Sequence, residues 1–410
     1  MDGGAGELRD GLARLGCAAL LVVARSARDP DLAPFVGPVH LGQSFLIAAP
    51  DGPPRLGFLT PMEREEAAAT GLPLLEPGAL EVHRLLDEGL PPAPFLAEAL
   101  ARGLALAGLR PPGRLALAGH GPAGVLHEVC ARLGERGWSF AAGNGLVLGL
   151  RKRKRDWELE EMRRVAAGTA AALRAVAALL AAAPERDGEL RLGGEPLTAG
   201  CLRAEAARTL AGWPGGALEQ PEGNIVAAGG EAAVPHTTGA SGRVLRAGEA
   251  IVVDLFPRGG LFADCTRTFC AGEPPEALRR AHAAVRQVLA RARAAVRPGV
   301  RGWDLQETTC RAFEAAGWRT QLSDPQTTHG YVHGLGHGVG YELHEQPSFR
   351  KAAGPEGVLA EGDVFTLEPG LYDPSGGWGV RLEDLVALGP GGALEVLTPL
   401  PYALDPRAWS

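Results

Sequence analysis

The chain has 410 residues, more than one ordinary compact core holds, so two or three domains are expected. Apolar residues make up 46% and charged residues 22%, a globular balance that excludes wholesale disorder. The formal net charge of -7 argues against nucleic acid or an anionic membrane surface as a partner.

The opening stretch MDGGAGELRD is acidic, and the apolar run 17–24 is too short to span a bilayer. No signal peptide and no transmembrane helix are expected. Residues 1–150 alternate short apolar strands (18–23, 44–48, 115–118) with Ala/Leu-rich helical stretches such as 94–106, which predicts an α/β domain. His40, His83, His120 and His127 are far apart here and read as surface or core residues. The six cysteines are scattered and form no CxxC pair, which points to a reducing, cytoplasmic compartment rather than a disulfide framework or structural zinc.

The run Arg151-Lys-Arg-Lys-Arg155 opens a second domain, 151–410. Given the acidic whole, it reads as a solvated lead into a helix rather than a nucleic-acid site. Asp156 is the predicted cap, and Glu158, Glu160 and Glu161 suit the positive end of a helix dipole. Leu159, Met162, Val165, Ala166, Leu173, Val176 and Leu180 recur at helical spacing, predicting one amphipathic helix over 157–183. Further on, 251–256 and 261–269 are strand-like, and 275–296 and 303–316 are helix-like.

The polar residues of interest fall between 224 and 384. Asp254 and Asp264 each interrupt an apolar strand, and a buried carboxylate is costly unless paired or bound to a metal. If Arg258-Gly-Gly260 forms a three-residue turn, Asp254 faces Asp264 directly, with β-carbons about 4.5–5.5 Å apart. Alone, two such acids would equally suit a solubilised edge. In YVHGLGHGVGYELHE, four glycines exclude a helix. An extended strand puts His333 and His337 on one face, and the glycines admit a substrate or another backbone. His344 lies close behind. Glu368 ends the strand FTLEPG, and Glu383 shares a face with Arg381, which is placed to neutralise it. Two Asp, two Glu and a neutral His carry four negative charges, matching two divalent cations, with Mn²⁺, Co²⁺ or Fe²⁺ favoured by the oxygen-rich set. Paired cations can activate a water and polarise a carbonyl.

The order Asp254, Asp264, His337, Glu368, Glu383, set in DCTRTF, HGLGHGVGYELHE, TLEPGLY and GVRLEDLV, resembles the pita-bread metallopeptidases, in particular the Xaa-Pro aminopeptidase and prolidase branch. The resemblance covers roughly residues 155–400. It implies an α+β fold: a pita-bread (creatinase/aminopeptidase-like) catalytic domain behind an N-terminal α/β creatinase-like domain. It also implies two metal ions (Mn²⁺ or Co²⁺ first, Fe²⁺ or Zn²⁺ as alternatives) on those five residues, and a homodimer acting on peptides. A metal-bridging hydroxide would attack, with Glu368 as general base. His333 and His344 would serve the scissile carbonyl, His236 in AAVPHTTG would place substrate, and Arg381 would support the site and bind substrate. The interval from Asp254 to Asp264 is shorter than the family pattern, and Ala263 stands where relatives carry Gly or Ser. Arg350 is a candidate clamp for a substrate carboxylate. Two other readings compete: a lyase or small-substrate hydrolase on the same fold, and a non-catalytic binding protein, which would be expected to lack ligands that this chain retains.

Overall fold

The computed structural model describes residues 2–409. They divide into two compact units, one ending at Arg151 and the other beginning at Lys152.

The first unit is built on a six-stranded sheet. Its order is Leu74–Leu75, Arg55–Phe58, Ser44–Ala48, Ala19–Ala24, Gly113–Ala118, Trp138–Ala142. All six residues of Ala19–Ala24 are buried. That strand is antiparallel to Ser44–Ala48 on one side and parallel to Gly113–Ala118 on the other. Alternate side chains supply two cores. Leu21, Val23, Phe45 and Ile47 pack with Leu96 and Leu100, while Leu20, Val22, Leu46 and Ala48 pack with Leu8, Leu12 and Val147. A continuous apolar run without alternation is what a strand covered on both faces requires.

The second unit opens with the helix Asp156–Ala181. Its buried stripe includes Met162, Val165, Ala166, Leu173, Val176 and Leu180, and it packs on the helix Ala199–Ala211. Among the described residues this helix alone is long and apolar enough to cross a membrane, and its buried stripe identifies it as a core helix. The cap differs from the expected one. Arg155 is the capping residue, its N–H held by the Glu158 carboxylate at 2.6 Å, and Asp156 is already helical.

The basic run also differs from expectation. Arg151 is 1% exposed, Lys152 lies 3.4 Å from Asp363, and Lys154 is paired with Glu345. Arg151, Lys152 and Lys154 are internal counter-ions, while Arg153 and Arg155 stay exposed in the solvated lead into the helix. The carboxylates that draw the lysines inward lie about two hundred residues along the chain, so local composition cannot reveal them.

Besides a small sheet of Glu185–Arg186, Glu189–Leu192 and Glu195–Pro196, three sheets carry the rest of the described residues. One is Ile225–Ala228, Ile251–Leu255 and Cys265–Phe269. Another orders Glu345–Ser348, His337–Gly338, Val364–Leu367, Asp384–Leu388 and Leu394–Val396. The hairpin Gly370–Asp373 and Trp378–Arg381 is inserted between Val364–Leu367 and Asp384–Leu388 of that second sheet. Helices Glu276–Ala295 and Gly302–Ala315 cover this β structure, with Val285, Leu289 and Phe313 packed in one core with Phe365, Leu367 and Val386. The long apolar stripe of each helix and the buried strands explain why both sheets need that cover.

Candidate metal centre

The two aspartates come from neighbouring strands, but not in the expected register. Asp254 pairs with Thr266, and Asp264 lies just before the strand Cys265–Phe269. The turn closes one residue later than Arg258-Gly-Gly260 would give, because Arg258 bridges Phe262. Other segments impose this. Arg258 exchanges backbone hydrogen bonds with Glu219, both 2.8 Å, and the Phe262 N–H donates to the Gly340 carbonyl at 2.8 Å. The slip is two residues, so the two acids keep a common face as diagonal rather than direct neighbours.

The 331–345 segment is not one continuous strand. Before Glu345, which opens the strand Glu345–Ser348, only His337–Gly338 is paired as a strand, and His333 sits in a bend. Gly336 is pressed against the Thr366 carbonyl and Gly338 against that of Gln346, so neither position has room for a β-carbon. Close backbone approach, one of the two uses foreseen for these glycines, is realised at Gly336 and Gly338. The His337 N–H donates to Thr366 Oγ1 at 3.2 Å, which seats its ring.

Around His337 the site converges. Its Nε2 lies 3.7 Å from Asp264 Oδ2 and 3.5 Å from Glu368 Oε1. Ligand atoms of Asp264, His337 and Glu383 all fall within 4.8 Å of one another. Glu383 Oε2 accepts from Thr266 Oγ1 at 2.7 Å, and the Glu383 N–H reaches the Thr266 carbonyl at 3.1 Å. Glu368 follows the strand Val364–Leu367, and its N–H donates to the Leu335 carbonyl at 2.7 Å. Asp254 acts electrostatically on Asp264, Glu368 and Glu383 alike.

Burial and mutual repulsion dominate the protonation of these acids. Desolvation, then the charges of Glu383 and Asp254, drives Asp264 well above the carboxylate range. Glu383 is raised by desolvation, then by Glu368 and Asp254. Glu368 is raised chiefly by desolvation, against the pull of Arg381. The imidazoles move the other way. His333 is lowered by desolvation and then by Arg381, His337 by desolvation and then by His344. Neutral rings and crowded carboxylates suit cation binding. Asp254 Oδ1 is buried with no hydrogen-bond partner, an orphan lone pair inside the cluster. The donor set therefore fits divalent cations: four carboxylates, one neutral imidazole, and an unmet acceptor.

Arg381 is only 3% exposed and is not the partner of Glu383 that the shared face suggested. Its Nη2 holds Asp254 Oδ2 at 2.7 Å, and its Nε reaches Glu383 only through Thr266 Oγ1, at 3.0 Å. Its Nη1 donates to the Pro235 carbonyl at 3.2 Å and to Tyr372 Oη at 2.8 Å. The guanidinium is engaged by protein groups, so it shapes the site from inside rather than meeting substrate. Pro235 precedes the exposed His236, which interacts electrostatically with both His333 and His344. His333 Nδ1 lies 3.8 Å from Glu368, and the ring of His344 stands edge-on to His337 with centroids 4.2 Å apart. Arg350 is exposed and acts electrostatically on His344.

Two contributors were missed by sequence reasoning. Tyr372 Oη lies 3.0 Å from His333 Nε2 as well as bonding Arg381. Gln306, on the helix Gly302–Ala315, accepts from the Leu335 N–H at 2.5 Å and from Tyr331 Oη at 3.0 Å. Tyr372 lies four residues beyond Glu368 in the motif TLEPGLY, which was the available signal. Gln306 had none.

A second carboxylate and imidazole group, Asp29, Asp31 and His120, lies in the first unit. Its oxygens already accept from the N–H groups of Asp31, Gly119 and His120 and from Asn144, with the buried Arg151 3.6 Å from Asp31. It is a loop knot, neutralised internally.

A pita-bread α+β domain carrying these acids and an imidazole together defines a class, the pita-bread metallopeptidases. The sequence model of metallopeptidase family M24 matches residues 160–390, more than half of the chain, and the chain belongs to that family. The probable dipeptidase PepE of Mycobacterium tuberculosis is 37% identical over 177 residues, 42% of this chain and 43% of that protein. The Xaa-Pro dipeptidase of Pyrococcus furiosus is 36% identical over 173 residues, 41% of this chain and 45% of that protein. The matched stretch thus spans less than half the length of these curated relatives. Across whole chains the fold agrees with the Xaa-Pro dipeptidase from Bacillus anthracis, with a TM-score of 0.75, 21% identity and 98% of both chains covered. It also agrees with the X-Pro aminopeptidase from Thermotoga maritima, with a TM-score of 0.71, 22% identity and 98% of both chains covered.

Proposed function

We propose that this chain is a metal-dependent hydrolase that cleaves the bond between an N-terminal residue and proline, in Xaa-Pro dipeptides or longer Xaa-Pro peptides. The observation that carries the reading is the convergence of Asp264, His337, Glu368 and Glu383 beside the orphan oxygen of Asp254. Asp254, Asp264, His337, Glu368 and Glu383 would hold two divalent cations, with Mn²⁺ or Co²⁺ assigned ahead of Fe²⁺ or Zn²⁺ because oxygen donors predominate. When bound, such cations lower the pKa of water and polarise a carbonyl.

The protein groups divide the remaining work. Glu368 takes the proton from the attacking water, a task favoured by a carboxylate whose proton affinity burial has raised. His344, its proton affinity lowered by burial, donates a hydrogen bond to the scissile carbonyl as charge develops on it, and His333, whose Nδ1 donates to the Gly334 carbonyl at 2.8 Å, does so only on releasing that contact. Tyr372 fixes the His333 ring from the opposite nitrogen, and Arg381 holds Asp254 in place. His236 borders the substrate. The free thiols of all six cysteines support a reducing, cytoplasmic setting.

One observation favours dipeptides. Arg350 is exposed and near enough to His344 to lower its proton affinity. A cation there suits the C-terminal carboxylate of a two-residue substrate. The test is to load the protein with Mn²⁺ or Co²⁺ and compare Xaa-Pro dipeptides, Xaa-Pro-Yaa tripeptides and controls without proline. Preferred turnover of the dipeptides supports the reading. Equal turnover of the controls removes the proline preference, and no turnover of any peptide removes the hydrolase.

A further inference from the structure

Two of the three lysines in the chain, Lys152 and Lys154, lie in the 151–155 run. Lys154 has no part in the chemistry above, yet it is buried beside it. Its Nζ lies 2.5 Å from Glu345 Oε1, and neither side chain is exposed at all. Its Nζ also donates to the Lys152 carbonyl at 3.3 Å. A fully buried ion pair is a poor source of stability, because desolvation offsets its attraction. Its value lies in where it fixes its surroundings.

Three segments of the site meet at this pair. Glu345 directly follows His344, and its backbone pairs with Gly338, which directly follows His337. The ladder slips at that point: His337 faces Ser348 while Gly338 faces Glu345, so the histidine stands at a bulge. Glu345 Oε2 accepts the Glu342 N–H at 3.3 Å, tying down the turn that bears His344. Gly340 lies flat against the pair, where a β-carbon would run into Glu345 Oε1 and Lys154 Cε. The Gly340 carbonyl in turn receives the Phe262 N–H at 2.8 Å, two residues before Asp264.

We propose that Lys154 and Glu345 are positioning residues, whose buried pair sets the 337–345 segment so that His337, His344 and Asp264 converge. The proposal rests on the reading of this cluster as a metal centre.

The single change K154M leaves a buried carboxylate uncompensated and can fail to fold. The decisive variant is therefore K154M/E345Q, which removes both charges, keeps the shapes and retains an acceptor for Glu342. Three quantities are read on wild type and variant: the thermal midpoint without metal, Co²⁺ binding with its visible absorption, and steady-state peptide hydrolysis. The expected variant melts near wild type. It binds Co²⁺ about 10–100-fold more weakly with an altered spectrum, and it loses kcat by a similar factor while KM moves less than about threefold. A folded variant with wild-type cobalt affinity and spectrum overturns the proposal. So does a variant that does not fold, since the pair would then serve stability alone. Wild-type protein that binds cobalt but cleaves no peptide sinks the hydrolase reading, and the cobalt readout still decides this one.

Discussion

Arg381 Nη2 holds one oxygen of Asp254 at 2.7 Å, while the other oxygen of that carboxylate is buried without a hydrogen-bond partner. The guanidinium supplies part of the positive charge that this acid needs, and the open oxygen leaves room for the rest. Replacing Arg381 by Met removes the only cation in the metal-free cluster. Loss of one partner of a buried pair costs about 3–5 kcal/mol. That loss is expected in the R381M apoprotein and is expected to shrink under saturating Mn²⁺ or Co²⁺, which neutralise the same acids. Urea unfolding with and without metal checks this. Equal losses in both conditions would mean that the cations do not bind next to Asp254.

Asp264, Glu368 and Glu383 are all raised by burial first and also by the charge of Asp254. A carboxylate raised in the folded state holds its proton after the unfolded chain has lost it, above about pH 4. The apoprotein therefore loses stability as pH climbs from that value through the raised folded pKa values. Metal binding must expel those protons, so affinity rises with pH and binding releases protons to the buffer. Calorimetric titration of Mn²⁺ in two buffers of different ionisation heat, at pH 6 and pH 8, measures the release. Binding with no proton release at pH 6 would contradict the protonated cluster.

His282 offers a pH effect remote from the metal ligands. It lies on the helix Glu276–Ala295, 8% exposed, with its Nε2 lacking a partner. Burial pushes its pKa down to about 4, opposed by a hydrogen bond to the Tyr402 backbone and assisted by Arg286. The unfolded ring takes a proton near pH 6.5 and the folded ring does not, so stability is full above that value and falls as pH drops towards 4. The expected loss is about 2 kcal/mol between pH 7 and pH 5. His282→Gln should flatten that part of the curve. A wild-type slope that survives the substitution would assign it to other groups.

The sequence pointed to Asp254 and Asp264 because each interrupts an apolar strand, where a charge needs a reason, to Glu368 at the end of such a strand, and to His337 by its place in a glycine-rich, histidine-bearing segment. It revealed the strand Ser44–Ala48 to the residue because an uninterrupted apolar run is bounded there by turn signals. It did not reveal the hairpin register, since backbone groups of Glu219 and Gly340 decide where the turn closes. Nor could it pair Lys154 with Glu345, or Arg381 with Asp254. Those partners stand 191 and 127 residues apart, and local spacing carries no information at that range. The basic run was misjudged for the same reason: its counter-charges lie elsewhere in the chain.

Glu368 is the most exacting test of the chemistry. It sits 3.5 Å from His337 and 3.8 Å from His333, and so touches both a candidate ligand and a candidate carbonyl donor. Glu368→Gln preserves the shape and one oxygen donor but removes the site that receives a proton. Metal content is expected to stay near wild type, because Asp254, Asp264, His337 and Glu383 remain. The rate is expected to fall by roughly 10²–10⁴-fold, the usual worth of a positioned general base. Metal analysis beside single-turnover hydrolysis separates the two effects. Near-normal turnover with full metal would take proton transfer away from Glu368. Loss of metal together with rate would leave Glu368 a ligand and return the question of the base to His333.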